Sequence, residues 1–416
     1  MEIIRISHPT GILSGHIDLE RSKSLSNRYL IIRSLCNASF DIKGLANSDD
    51  TKILKSLLEN IPPDQVYDVH HAGTSFRFLT AYLAIQKGTQ ILTGSHRMKE
   101  RPIGPLVTAL NQLGCQISYL EREGYPPLKI NSPSTLGQTN EIDINADISS
   151  QFMSALIMIS PRIPGGMTLN LIGDLVSESY LDMTLKTIGQ FGIKYTKSGN
   201  SIHIEHQEYS SLDVEVEADW SASSYYFACA ALSKTAEIQI SGLFENSIQG
   251  DSAMTSIGKN LGVHSKYENN RLCLTKGELP DAFSYDFINQ PDLAQTVAVV
   301  CAANTINAEM TGLKTLRIKE TDRISALDTE LKKVGSGFTE HSIGSNGYYY
   351  TVAQSFGTSS IPRFSTYHDH RMAMAFAPLS LKFPIEIEDP AVVSKSYPGY
   401  WRDLESLGFE IMKVES

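Results

Sequence analysis

The 416-residue sequence has no apolar run approaching the roughly 18 residues that a membrane-crossing helix needs. Its opening, MEIIRISHPTG, alternates apolar and polar residues where a signal peptide would carry a continuous apolar stretch. A cytoplasmic protein is therefore expected. The five cysteines (Cys36, Cys115, Cys229, Cys273, Cys301) are odd in number and widely spaced, with no CxxC pair. They support neither a disulfide framework nor a zinc knuckle and read as buried reduced thiols. Positive charge is scarce: 36 Lys and Arg stand against 46 Asp and Glu, a net charge of −10. That balance argues against a general nucleic-acid or anionic-membrane binder, so any anion must be held locally. The sequence also lacks a GxxxxGK[ST] phosphate loop, a GxGxxG fingerprint, HExxH and GxSxG, which weighs against a nucleotide triphosphatase, a dehydrogenase, a zincin and a serine hydrolase. His368, Asp369 and His370 are adjacent, a spacing at which side chains diverge on a helix, so no metal site is expected. Low-complexity tracts and long linkers are missing too, and composition marks no domain boundary.

With 41% hydrophobic and 20% charged residues the chain is that of a globular protein with a large core, and its length suggests two domains as the simplest arrangement. Six times a small or polar cluster leads directly into a strongly apolar run. The runs are SKSLSNRYLIIRSLC, AGTSFRFLTAYLAI, DISSQFMSALIMIS, DWSASSYYFACAAL, PDLAQTVAVVCAAN and HDHRMAMAFAPLSL. Ser, Thr and Asp accept hydrogen bonds from free N–H groups at a helix start, so each cluster predicts an N-cap and each run a buried helix. Met372, Met374 and Phe376 fall on one such run and read as core. Short alternating segments such as VEVEA (214–218), EIQI (237–240) and IEIE (385–388) predict strands between them. A second repeat pairs LTGSHRMKERPIGPLVTALNQLG (92–114) with LKTLRIKETDRISALDTELKKVG (313–335), through a shared charged cluster, leucine spacing and closing glycine. Six strand-and-helix units in two similar halves are the expected organisation.

Buried helix N-termini present unpaired N–H groups and partial positive charge, and several together would form a site for phosphates or carboxylates. The basic residues lie at those starts: Lys23 and Arg28, Arg77, then Arg97, Lys99 and Arg101, then Lys319 and Arg323, then Arg371. Arginine forks suit two-point contact with carboxylate or phosphate, whereas lysine supplies a compact charge. Asp292 could remove a proton from a hydroxyl or could simply cap its helix. Glu320 could exchange a proton or could form a helix-start salt bridge with Arg323.

In order along the chain, SKSLSNR, AGTSFR, RMKERPIG, SSQF, PDLAQT, RIKETDR, DHRMAM and SKSYPGY occur between residues 22 and 400. This ordered set resembles the 5-enolpyruvylshikimate-3-phosphate synthases. The resemblance implies an enolpyruvyl transferase-like α/β fold of two similar domains, each of three repeated β-α units with buried helices and outer sheets, an inside-out α/β barrel. It implies one domain over 22–217, a second over 1–21 and 218–416, and hinges near 15–21 and 217–221, with ligand closing the cleft by screening opposed basic surfaces. The implied reaction moves the enolpyruvyl group of phosphoenolpyruvate to the 5-hydroxyl of shikimate 3-phosphate and releases phosphate, in the shikimate pathway to chorismate and the aromatic amino acids, with no metal or organic cofactor and with the enzyme a monomer.

By the same resemblance, shikimate 3-phosphate would meet Lys23, Ser24, Arg28, Ser149, Ser150, Gln151, Ser177, Tyr180, Asp292 and Lys319, the serines and Arg28 holding its phosphate. Phosphoenolpyruvate would meet Lys23, Gly73, Arg97, Gln151, Arg323, Arg371 and Lys395. Asp292 would take the hydroxyl proton, while Lys23 and Glu320 would protonate and later deprotonate the methylene carbon around a tetrahedral intermediate. The inhibitor glyphosate would occupy the phosphoenolpyruvate place, and SSQF resembles the sensitive class. Three positions depart from the family pattern: His71 where many members carry Asn, Phe78 where enteric-type members carry Pro, and Trp220 at a usually small position. His71 reads as a neutral hydrogen-bonding substitute or as a source of pH dependence. Two other functions compete: the sister enzyme that acts on UDP-N-acetylglucosamine, whose loop carries Cys where this chain has His96, and a non-catalytic anion-binding protein of the same fold.

Overall fold

The computed structural model describes residues 2–59, 65–133, 135–147, 149–343 and 347–414. Each of the six apolar runs contains a helix: α1 (Lys23–Leu35), α2 (Gly73–Ala84), α3 (Ser150–Ile159), α4 (Trp220–Leu232), α5 (Ala294–Ala303) and α6 (His370–Phe376). Ile148, in the third run, lies outside the described residues. Side chains of Ser22, Ser149, Asp219 and Asp369 accept free backbone N–H groups at the starts of α1, α3, α4 and α6. The other two helices start differently: α2 has no side-chain cap, and α5 continues a 3-10 turn over Pro291–Leu293. All ten residues of α5 are buried, and in α4 every residue but Ser221 is buried. A helix apolar on every side has no face to offer water, and this dictates interior placement.

The chain divides into two compact units, a discontinuous one of Met1–Arg21 with Glu217–Ser416 and an inserted one of Ser22–Val216. Among the described residues the discontinuous unit has three four-stranded sheets, and the inserted unit has two four-stranded sheets and a two-stranded pair, Ile42–Lys43 beside Val214–Glu215. Five of the six expected units thus carry a full sheet, and the unit built on α1 carries the pair. The sheets remain separate, so among the described residues none closes into a barrel.

Parallel strands need a crossover, and the buried helices supply it. Val66–Asp68 and Thr89–Thr93 flank α2, Glu141–Asn145 and Met167–Ile172 flank α3, Ala282–Asp286 and Asn307–Thr311 flank α5, and Arg363–Phe364 and Ile385–Glu388 flank α6. Each of these pairs is parallel. Thr235–Ser241, after α4, runs parallel to Ile12–Asp18 with Thr235 opposite Ile12. Alternate residues of these strands are buried against the helices. The EIQI and IEIE segments lie in strands, and both copies of the longer repeat contain a short helical turn followed by a helix and a left-handed glycine, Gly114 (φ 92°) and Gly335 (φ 70°). No helix among the described residues is long and apolar enough to cross a membrane.

The VEVEA segment departs from its expected strand, which ends at Glu215. Glu217 instead turns inward and accepts four hydrogen bonds: from Trp220 Nε1 (2.7 Å) and the Phe244 backbone N–H (2.8 Å) on one oxygen, and from Ser247 Oγ (2.7 Å) and Gln249 Nε2 (2.9 Å) on the other. Among the described residues it forms no ion pair, and burial pushes its carboxyl up while the four donated bonds pull it down, leaving it above its ordinary value. The large Trp220 therefore acts as a donor in this cluster. Replacing Trp220 with Phe removes one bond to a charged acceptor and is expected to cost about 1.5–3 kcal/mol. Because the bond favours the ionised carboxyl, the cost grows as pH rises from the ordinary carboxylate value of 4.5 through the raised one. Urea unfolding followed by Trp401 fluorescence at pH 4.5 and at neutral pH checks this; a cost independent of pH would contradict it.

Candidate functional site

In the inserted unit the starts of α1, α2 and α3 are tied together. Asp50, nearly buried, lies 3.3 Å from Lys23 Nζ through one carboxylate oxygen and 4.0 Å from His71 Nε2 through the other, and its carbonyl accepts from Ser75 Oγ. Gln151 Nε2 donates to Thr74 Oγ1 (3.0 Å), while Ser149 Oγ caps the N–H of Gln151. Ser24 supplies the carbonyl that accepts from Arg28 Nη1 (2.8 Å), and Ser150 is buried. Ser177 precedes the helix Glu178–Gln190 in a left-handed conformation (φ 57°), a rare state for a residue with a side chain.

Arg28 is 3% exposed, and its guanidinium donates to Thr184 Oγ1, Ser154 Oγ and the carbonyls of Ser24 and Tyr180. It lies 5.5 Å from the ring centre of Phe78, which gives that residue a structural role. Burial pulls the guanidinium down to about 9, so it stays charged at neutral pH. Among the described residues Arg28 forms no ion pair. A buried cation surrounded by neutral acceptors is costly unless an anion joins it.

A second cation of this kind lies at Gly73, beside the segment that carries Arg97, the residue the family resemblance implies for phosphoenolpyruvate. Arg97 is about half exposed and paired with Glu100 at 2.8 Å, whereas Arg101 packs on the glycine so closely that a Cβ there would clash with its Nη1. The Arg101 side chain forms no ion pair among the described residues, and its buried Nε meets no hydrogen-bond acceptor there. Arg77 lies beside them and donates to the carbonyls of Gly73 and Pro102. The signal for Arg101 was present in RMKERPIG, but only the fold shows that Pro102 turns the chain back toward α2. Asp50 had no motif to mark it.

The discontinuous unit gathers its cations on carboxylates. Arg323, 1% exposed, holds Asp369 (2.7 and 3.3 Å), Asp292 (3.1 Å) and Glu320 (2.9 Å). Arg371 meets Asp292 at 2.8 Å and Tyr225 OH at 3.4 Å, and Lys319 lies 3.6 Å from Asp292. Burial would raise the Asp292 carboxyl, yet Arg371, Lys319 and Arg323 outweigh it and hold the group well below the usual carboxylate range. Asp292 therefore sits in a cation cluster, and the cap position of α5 belongs to Leu293. Glu320 does form the helix-start salt bridge with Arg323. Asp369 caps α6 while accepting from Arg323, a double role that DHR hinted at only through its capping half. Lys395 donates to the carbonyl of His368 (2.6 Å), so its charge lies beside the start of α6. Among the described residues no group of three His, Cys, Asp or Glu is arranged to hold a metal ion.

Crossover helices buried inside each unit, with Lys23, Arg77 and Arg371 near the starts of α1, α2 and α6, define an α/β class whose helix starts suit small molecules bearing phosphate or carboxylate. A family model described as EPSP synthase (3-phosphoshikimate 1-carboxyvinyltransferase) matches residues 53–404. A curated 3-phosphoshikimate 1-carboxyvinyltransferase from Bacteroides fragilis strain YCH46 is 43% identical over 410 residues, 98% of each chain. One from Sulfurovum sp. strain NBC37-1 is 35% identical over 434 residues, 96% of this chain and 98% of the relative. The solved EPSP synthase from Acinetobacter baumannii matches the fold with a TM-score of 0.76 over 100% of both chains at 19% identity. The chain belongs to the EPSP synthase family.

The contrast between the two arginines gives a direct test. Arg101→Ala removes a buried charged donor and is expected to weaken inorganic phosphate binding about 10-fold or more, and Arg97→Ala, which removes a half-exposed cation, is expected to weaken it by less. Titration calorimetry ranks them, and the reverse order would make Arg97 the stronger phosphate ligand.

Proposed function

We propose that the protein transfers the enolpyruvyl group of phosphoenolpyruvate to the 5-hydroxyl of shikimate 3-phosphate and releases inorganic phosphate, a step of chorismate and aromatic amino acid biosynthesis. The observation that carries this reading is the Asp292 cluster: a carboxylate kept ionised by Arg371, Lys319 and Arg323 in a chain of this family. In this reading Ser149, Ser150, Ser177 and Arg28 take the phosphate of shikimate 3-phosphate, with Lys23, Ser24, Gln151, Tyr180, Asp292 and Lys319 completing its contacts. Lys23, Gly73, Arg97, Gln151, Arg323, Arg371 and Lys395 receive phosphoenolpyruvate, and Arg101 joins them as the cation that packs on Gly73.

The 5-hydroxyl oxygen bonds to C2 of phosphoenolpyruvate, its proton passes to Asp292, and the methylene carbon C3 gains a proton in a transfer that Lys23 and Glu320 manage. The tetrahedral intermediate then expels phosphate from C2 as the same two residues manage removal of a proton from C3. Asp292 is a weak base while three cations hold it. Substrate anions that engage Arg371 and Lys319 loosen that hold, and the carboxylate becomes basic when its substrate arrives. The oriented substrates supply effective molarity, and the cations stabilise the departing phosphate. The reaction so written uses side chains alone, and we place it in a cytoplasmic monomer that acts on small molecules, without nucleic-acid or membrane partners. The net charge of −10 supports that choice of ligand.

Phosphate release from phosphoenolpyruvate, measured with shikimate 3-phosphate and separately with UDP-N-acetylglucosamine, tests the reading; release with the first alone is expected. Asp292→Ala and Glu320→Gln should each lower turnover by at least about 10²-fold with substrate binding largely kept. Near-wild-type turnover in either variant would remove that residue from the mechanism.

A further inference from the structure

Asp251 belongs to a 3-10 turn, Gly250–Ala253, is 4% exposed, and takes no part in the reaction as written above. Its carboxylate accepts a hydrogen bond from Ser221 Oγ, in the first turn of α4. Tyr225, on the same helix, carries the hydroxyl that accepts from Arg371, and Arg371 in turn holds Asp292. From the other side, the Gly250 carbonyl accepts from Gln290 Nε2 (3.4 Å), two residues before Asp292, and Tyr285 OH donates to Gln290 Oε1 (3.0 Å). The turn that carries Asp251 is therefore braced against both α4 and the segment that presents Asp292. The titratable and charged groups that act on it are Asp292 beside α5, Arg371 on α6, Asp219 at the cap of α4 and Tyr285 on the strand Ala282–Asp286.

We propose that Asp251 is a proton-coupled positioning residue: when a phosphate or carboxylate ligand pairs with Arg371, the ionised fraction of Asp251 takes up protons from solvent, forming a carboxyl O–H and relieving its repulsion with Asp292. This rests on Arg371 being an anion ligand, as in the proposed function. Of the two carboxyls, Asp292 is held far below neutrality by three cations. Asp251 is raised to about 7, first by burial and then by Asp292, while Ser221 and Arg371 pull it down. A ligand that neutralises Arg371 removes one of those downward influences, so the proton goes to Asp251. The uptake keeps negative charge from accumulating around Asp292 while leaving that carboxylate ionised for the hydroxyl proton.

The probe is sulfate, whose own charge is constant through the neutral range, titrated calorimetrically into the full chain in two buffers of different ionisation enthalpy. The expected result is net uptake of up to about half a proton at pH 7, lost in Asp251→Asn. Ser221→Ala provides an independent arm should the first variant fail to fold. It deletes a bond that favours the ionised carboxyl, so the pH of maximal uptake moves upward. Sulfate binding with unchanged uptake in Asp251→Asn, or an unmoved maximum in Ser221→Ala, overturns the proposal and leaves the anion-binding role of Arg371 intact. Absence of sulfate binding overturns both.

Discussion

A helix buried on every side brings its unpaired N–H groups and its positive dipole end into the interior, where water cannot satisfy them. Six helices are largely or wholly buried in this way, and the chemistry follows from how their first turns are completed. Ser22, Ser149, Asp219 and Asp369 complete four of them from within the chain. At α2 no side chain does so, and there the glycine that opens the helix leaves space for the Arg101 guanidinium. Small residues at these starts thus serve both capping and close approach, which explains why serine and glycine recur in the motifs.

The two units meet the problem of buried positive charge in opposite ways. In the inserted unit Arg28 is surrounded by hydroxyls and carbonyls, a polar setting that solvates the cation without neutralising it. In the discontinuous unit Arg323 and Arg371 are neutralised by Asp292, Glu320 and Asp369. An incoming phosphate would find unopposed charge at the former and would have to compete with carboxylates at the latter. The second arrangement ties ligand binding to the protonation and basicity of the very carboxylates it displaces, which simple attraction does not do.

Much of this was legible in the sequence because it is local. A capping serine or aspartate acts within three residues of itself, and an unbroken apolar run predicts a buried helix without reference to its neighbours. The family and the α/β fold could be named from ordered motifs for the same reason. What could not be read depends on chain reversal or on distant partners. Arg97 and Arg101 share one motif, and only the turn through His96–Lys99 and Pro102 decides which of them reaches Gly73. Asp50 and Asp251 lie outside any motif, yet one contacts Lys23 and the other Ser221 across folded space. VEVEA has the alternation of a strand, and its interruption at Glu217 requires four donors, three of them supplied by residues 244, 247 and 249.

The insertion point has a consequence for how the chain comes off the ribosome. Arg21 and Ala218 form a β-bridge, so the inserted unit leaves and re-enters its host at one place. The strand Ile12–Asp18 pairs with Thr235–Ser241, and Ile3–Ser7 lies between Ile385–Glu388 and Glu410–Lys413. During synthesis these first strands emerge more than 200 residues ahead of their partners. The inserted unit is continuous and can fold on emergence, while the N-terminal strands wait with open edges, Ile12–Asp18 until Thr235–Ser241 appears and Ile3–Ser7 until the last part of the chain. The alternating exposed positions of Ile12–Asp18, with Ser14 and His16 among its polar residues, therefore have a second task. They keep a strand soluble through its long interval without a neighbour.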